Sequence, residues 1–408
     1  MLHNIRRIFA LLFWTLITLL FLDFTGTLHS YFGWMTRIQF LPALLALNIG
    51  IVVALIALTL LLGRVYCSVI CQLGVFKDII SWIVDKRKKN RFQYSQEVKW
   101  LRYGTLGLFI LTMVTGFNSI AILIAPYSIY GRIASSFFAP LYQWVNNGLA
   151  YLAERADSYI FYETSTWLRS LPTMIIAGIT LVIIIVLAWR SGRTYCNTIC
   201  PVGTILGFLS QYSFLKLQID TSKCNSCGLC ARNCRASCIN AKEHTIDNNR
   251  CVVCMDCIDK CHKKAICYMH RKKNFAMEAP AFVNTTTRRA FFSSSVALLT
   301  TAILHAQEKK VDGGLADIKN KKIPERATPI LPPGSRSAHY FAQHCTACQL
   351  CVSVCSNNVL SPSSDLNYFM QPKMSYERGF CRPECMKCAE VCPTGVLRLT
   401  DLAEKSST

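Results

Sequence analysis

The 408-residue sequence predicts an α-helical membrane domain followed by two small cysteine-rich α+β modules. Three observations predict it: four long apolar stretches, an internal repeat among them, and two paired sets of closely spaced cysteines. Composition agrees. Charged residues make up 16% of the chain and AVILMFWYC residues 52%, against about 25% and somewhat under half in soluble domains. Disordered chains and simple cytosolic enzymes are thereby excluded. The 22 cysteines exceed what a reducing cytosol or a small disulfide framework explains, so metal ligation becomes the leading account.

Residues 5–24, 41–62, 102–125 and 172–189 are apolar enough to span a bilayer, which takes roughly 20 such residues. The first follows Arg6 and Arg7 but lacks an Ala-x-Ala cleavage pattern, and so is expected to be retained. Lys and Arg set the orientation. Residues 25–40 carry Arg37 alone, whereas the next loop holds Arg64, Lys77, Lys86, Arg87, Lys88, Lys89, Arg91 and Lys99 and should be cytoplasmic. The aromatic segment 126–171 has only three arginines and should lie outside, as an amphipathic helix on the membrane; Arg190 and Arg193 return the chain inside. The formal net charge of +21 is on this reading a topology signal, which leaves no nucleic-acid partner to expect.

Gly63-Arg64-Val65-Tyr66-Cys67-Ser68-Val69-Ile70-Cys71-Gln72-Leu73-Gly74 aligns with Gly192-Arg193-Thr194-Tyr195-Cys196-Asn197-Thr198-Ile199-Cys200-Pro201-Val202-Gly203. The four spans therefore form two repeated hairpins, each ending in Tyr-Cys-x3-Cys at the inner surface. Cysteines four apart share one helix face, and a pseudo-two-fold would bring Cys67, Cys71, Cys196 and Cys200 together as a metal or cluster site, an additional redox centre. Two separate redox-active dithiols and plain packing stand as alternatives.

Cys224-x2-Cys227-x2-Cys230-x3-Cys234 and Cys251-x2-Cys254-x2-Cys257-x3-Cys261 have the spacing of bacterial two-cluster ferredoxins, in which the fourth cysteine of each run serves the other cluster. One 4Fe-4S cluster is assigned to Cys224, Cys227, Cys230 and Cys261, the other to Cys251, Cys254, Cys257 and Cys234. Zinc sites lack this fourth spacing. Cys238 and Cys267 are left over, and Cys238 competes with Cys234 for its place. Near the C-terminus, Cys345-x2-Cys348-x2-Cys351-x3-Cys355 and Cys381-x3-Cys385-x2-Cys388-x3-Cys392 repeat the pattern with one extra residue. Their clusters fall to Cys345, Cys348, Cys351 and Cys392, and to Cys381, Cys385, Cys388 and Cys355. Four clusters result, in modules at 217–272 and 339–408, behind a membrane domain of residues 1–216.

Between the modules, residues 273–338 hold Thr287-Arg288-Arg289-Ala290-Phe291-Phe292 and an apolar run from Val296 to Leu304. This resembles a twin-arginine export signal, which would make 287–306 a fifth, short span or uncleaved anchor and place the second module outside. A short surface helix is the alternative. Residues 307–338, rich in Pro and Gly, read as a linker. No Cys-x2-Cys-His haem motif, Gly-x-Gly-x-x-Gly, P-loop or nucleophile elbow is present.

The Tyr-Cys-x3-Cys repeat, the four spans and the following two-cluster module together resemble the NapH membrane ferredoxins, related to the membrane part of NosR, over residues 1 to about 270. The segment 285–408 is similar to NapG, so the chain resembles a NapH–NapG fusion. In that family Cys-x3-Cys is followed by Pro; Pro201 fits and Gln72 departs. The resemblance implies a multi-pass protein of the bacterial inner membrane. It would take electrons from ubiquinol or menaquinol, as a quinol dehydrogenase subunit, and pass them to a protein redox partner, a reductase or cytochrome, periplasmic in the family pattern. A cofactor-maturation or metal-reducing factor working through the membrane thiols, and a redox sensor or assembly scaffold, compete with it.

Overall fold

The computed structural model describes residues 2–23, 26–85, 92–116, 118–155, 170–270, 328–377 and 379–400, together with Asp157, Glu163, Thr164 and Lys405. The export-like residues 287–306 lie outside these.

Helix Leu2–Leu22 matches the first expected span and helix Leu171–Ser191 the fourth. Both are long and apolar enough to cross a membrane, each about 30 Å at 1.5 Å per residue. Ile8, Phe9, Leu11 and Leu12 on one, and Ile175, Ile179, Val182 and Ile183 on the other, face outward. A belt of that kind requires lipid or a partner to cover it.

The two middle spans depart from expectation. Residues 41–62 break into Phe40–Leu45 and Ile49–Leu62, because Leu47 turns left-handed at φ 52° and Asn48 caps the second piece by accepting from Ile51 N at 3.4 Å. Residues 102–125 break where helix Lys99–Thr115 ends on Gly116 at φ 77°, then resume as Asn118–Ile124. The chain next bends by 72° before Pro126–Glu154. Ala125 precedes a proline and is extended, which stops the helix there.

The expected outer surface helix is also corrected at its start: every residue of helix Pro126–Ile133 is buried. It packs between Gln72–Asp85 and Leu171–Ser191. Its Arg132 is buried and donates to the carbonyls of Ile122 and Leu123, the groups freed by the broken helix. Arg64, Lys77 and Arg193 likewise are fully buried rather than loop charges.

Each module is small. In the first, strand Leu215–Ile219 pairs antiparallel with Ile266–His270, and Ile239–Asn240 with Thr245–Ile246; helices Leu229–Arg232 and Asp256–Lys260 complete it. In the second, Leu360–Pro362 pairs with Pro372–Met374 beside helices Leu350–Val354 and Lys387–Glu390.

Three helices fix where the modules sit. On Leu2–Leu22, His3 near the start pairs with Asp256 of the first module, whereas the far end meets Leu350–Val354 of the second. On Lys99–Thr115, Arg102 bonds Asn249 Oδ1 at 2.6 Å at one end, and at the other the Cβ position of Gly116 lies 3.2 Å from Gln343. Leu171–Ser191 is followed by Gly192 against Arg235 O, and Ser170 and Thr173 at its start share a cavity wall with Gln349. The modules cap opposite ends of one helical bundle.

Candidate functional site

The backbone repeats itself around the cysteines. The residues flanking the second cysteine of three motifs are left-handed: Ser226 and Gly228, Val253 and Met255, Ala347 and Gln349. Alternating handedness turns successive N–H groups toward one concavity, the nest found at many iron–sulfur sites. Val253 is β-branched and pays for this conformation in strain, which a site retains only when its surroundings fix it. In the fourth motif the extra residue removes the pattern, and Met386 has φ −118°. All four motifs share a second feature. Ser237, Lys264, Asn358 and Gly395, each three residues past a fourth cysteine, are left-handed, and their N–H groups bond back to that cysteine's carbonyl.

The thiols gather in the crossed sets. Cys224, Cys227, Cys230 and Cys261 line one cavity of about 130 Å³. Cys257 is in electrostatic contact with Cys254, Cys251 and Cys234. Cys345, Cys348, Cys351 and Cys392 line another cavity, and Cys355, Cys381, Cys385 and Cys388 a further one. Leftover Cys238 is buried 3.5 Å from Cys234 Sγ, and that hydrogen bond is the main cause pulling the Cys234 thiol down to about 7. Exposure orders the sets. The four cysteines around Cys254 are buried, and so are three of the four around Cys348, the two sets next to the bundle; the sets around Cys227 and Cys385 are exposed to intermediate.

Between the modules the repeat closes on itself. Arg64 Nη2 donates to Cys196 O at 3.2 Å, and Arg193 Nη1 to Cys67 O at 2.6 Å. A Cβ at Gly74 would meet Cys67 O at 2.3 Å, and one at Gly203 would meet Cys196 O at 2.2 Å, so both glycines are there for close approach. Cys200 caps helix Pro201–Ser210, its sulfur accepting from Gly203 N at 3.3 Å, and Cys71 receives Gly74 N in the same way before helix Gln72–Asp85. Thiolates there face the positive helix ends. Gln72 fills the first helical position that Pro201 fills in the other copy, its side chain bonding Ile70 O at 2.8 Å, while the segment before it, Tyr66–Ile70, is a π-helix where Thr194–Thr198 is α-helical.

All four membrane thiols are buried and each of Cys67, Cys71 and Cys196 acts electrostatically on Cys200. Burial pushes the Cys71 thiol up to about 12, with Cys67 and Cys196 adding to it. Cations surround them: Lys77 Nζ lies 3.7 Å from Cys196 Sγ, and Arg64 Nη2 lies 3.8 Å from Cys67 Sγ. Burial lowers the Lys77 pKa, and anionic sulfur at Cys196 and Cys200 pulls it back up, so a charged Lys77 and thiolates at this site stabilise each other. The donor set therefore fits a thiolate-bound cluster. Among the described residues no three His, Cys, Asp or Glu side chains converge on a single metal ion. That holds for the ferredoxin sets too, whose expected ligand is a larger cube of irons.

Where Leu2–Leu22 meets the first module, a cavity of about 620 Å³ is lined by His3, Arg7, Trp82, Arg235, Asp256 and Asp259, among others. His3 Nε2 lies 2.6 Å from Asp256 Oδ1, and Nδ1 contacts Asp259. Sequence reading missed this site, since a histidine near the N-terminus carries no pattern.

Two family models match. One described as a 4Fe-4S binding domain covers residues 44–91 and 173–219, the two Cys-x3-Cys copies; a 4Fe-4S dicluster domain covers 344–399. An uncharacterised protein of Methanocaldococcus jannaschii is 33% identical over 25% of this chain and 41% of its own. A putative electron transport protein, YccM of Escherichia coli, is 24% identical over 54% of this chain and 55% of its own, and a ferredoxin-type protein NapH of Haemophilus influenzae 25% identical over 57% and 70%. The chain thus spans about two fifths and just over half of the first two relatives. No solved structure matches it. These similarities support a NapH-like polyferredoxin relationship, an iron–sulfur electron-transfer role and a membrane location.

Proposed function

We propose that the chain is a quinol-oxidising electron-transfer protein of the bacterial inner membrane, a NapH–NapG-like fusion that delivers electrons to a reductase or cytochrome. The sixteen ferredoxin cysteines hold four 4Fe-4S clusters in the crossed sets, and Cys67, Cys71, Cys196 and Cys200 hold a fifth. Each such cluster supplies one-electron carriage at a potential set by its surroundings. The observation that carries the reading is the sequence of thiol sets along the bundle, exposed at both extremes and buried toward the middle. The first module is inside and the second outside, supported by loop charge and by the modules' places at opposite bundle ends.

On this reading the donor's headgroup enters the cavity at His3, whose ring is held between the carboxylates of Asp256 and Asp259. Burial alone would raise the Asp256 carboxyl; His3, Arg235, Arg6 and Arg7 keep it below the usual carboxylate range, so it stays an anion and an acceptor. A maturation factor would need its thiols open to an exchanging metal, and the burial of all four argues against that. The test is anaerobic addition of a reduced quinol analogue. Bleaching of the cluster absorbance is expected; clusters that dithionite bleaches and quinol does not would overturn the donor assignment.

A further inference from the structure

Modules at opposite ends of helices about 30 Å long are too far apart for direct electron exchange, which falls steeply with distance. Either they serve separate circuits joined by a diffusing carrier, or something fixed connects them. On the first-module side the connection is short. Arg193 donates to Cys67 O at 2.6 Å and is in electrostatic contact with both Cys196 and Cys254.

On the other side lie two buried tyrosines. Tyr66 directly precedes Cys67 and interacts electrostatically with Cys71 and Cys200; its hydroxyl donates to Gln39 Oε1 and accepts from Phe40 N, each at 3.1 Å, which fixes the ring. Tyr127 interacts electrostatically with Cys348, Cys392 and Tyr66 and is hydrogen-bonded to Thr36. Its helix is fastened to that cluster loop. Ser128 Oγ donates to Thr346 O at 2.6 Å, and a Cβ at Gly131 would meet Cys348 O at 2.3 Å. Phe21 supports the ring with centroids 6.0 Å apart.

We infer that Tyr66 and Tyr127 bridge the four-thiol site to the Cys345, Cys348, Cys351 and Cys392 site, so that both modules belong to one electron circuit across the membrane domain. This rests on the reading that those cysteines hold clusters. Each transfer moves one electron, with no bond made or broken and no proton moved; the donor is oxidised and the acceptor reduced by the same count.

The test uses the full-length protein in quinone-free liposomes with ferricyanide enclosed and dithionite outside, one electron being counted per ferricyanide reduced. The unaltered protein should bleach ferricyanide faster than protein-free liposomes do. Tyr127→Leu and Tyr66→Leu should slow this at least about tenfold with iron content and the electron-spin spectra of the reduced clusters unchanged, while Tyr127→Phe, which keeps the ring, should match the parent. Cys67→Ser, which leaves both tyrosines, should slow it as well. Parent-like rates in both Leu variants, or a parent that passes electrons only after menaquinone is added, would overturn the bridge while leaving the quinol reading standing. A parent without iron would sink the cluster reading itself.

Discussion

Asp78 ties three parts of the molecule together, and its removal should be felt in all of them. Its carboxylate receives Arg193 Nε at 2.9 Å and Nη2 at 2.6 Å, with Arg6 at 3.4 Å and Arg235 at 3.7 Å. These come from the second repeat, the first helix and the first module. Burial alone would raise this carboxyl, but Arg193, Arg235 and Arg6 hold it below the usual range, so its contribution is present above the unfolded pKa and is lost as pH falls through the folded one. Asp78→Asn keeps the shape and leaves buried guanidinium groups without their counter-charge. Breaking a buried pair in this way costs about 3–5 kcal/mol, on the order of 3–6 °C in melting temperature for a chain of this size. Asp85→Asn is the control. Its carboxylate meets Arg235 at 3.5 Å with the side chain 31% exposed, and screening limits the loss to about 1 kcal/mol or less. Thermal unfolding in detergent, read alongside iron release, compares the two. An Asp78→Asn protein melting within about 2 °C of the parent would refute the claim that this carboxylate holds the first module to the bundle.

Other substitutions test other contacts. Gly131→Ala must push Cys348 O away, so the second module should loosen by about 1–3 kcal/mol, seen as faster hydrogen exchange in residues 342–354. His3→Gln should slow bleaching by quinol while leaving dithionite reduction unchanged; equal slowing of both would return His3 to a structural role. Burial, partly opposed by Asp23, lowers the His29 pKa to about 4. His29 is therefore neutral when folded and protonated when unfolded below pH 6.5, which removes up to about 3 kcal/mol of stability as pH falls from 6.5 to 4. His29→Gln should flatten that slope in detergent melts.

Spacing alone constrains the crossed cysteine sets and the paired membrane motifs: three cysteines at x2 intervals and a fourth at x3 leave few geometries, and a twelve-residue repeat implies a two-fold. What sequence could not reveal is where polar residues find partners. Arg64, Lys77 and Arg193 read as loop charges because hydropathy counts charge without its counter-charge, and here carbonyls, Asp78 and the thiols supply it. Pro126–Ile133, with Tyr127, Tyr130 and Arg132, looked like a surface helix for the same reason. The nests were hidden too, since only Gly228 among their six left-handed residues is a type that advertises positive φ.

The most direct test of the whole account is the iron and acid-labile sulfide content of anaerobically purified protein, measured beside Cys67→Ser. Five cubane clusters predict about twenty of each per chain, falling to about sixteen in the variant. A count near twelve in the parent would remove one ferredoxin module, and with it the circuit from one end of the bundle to the other.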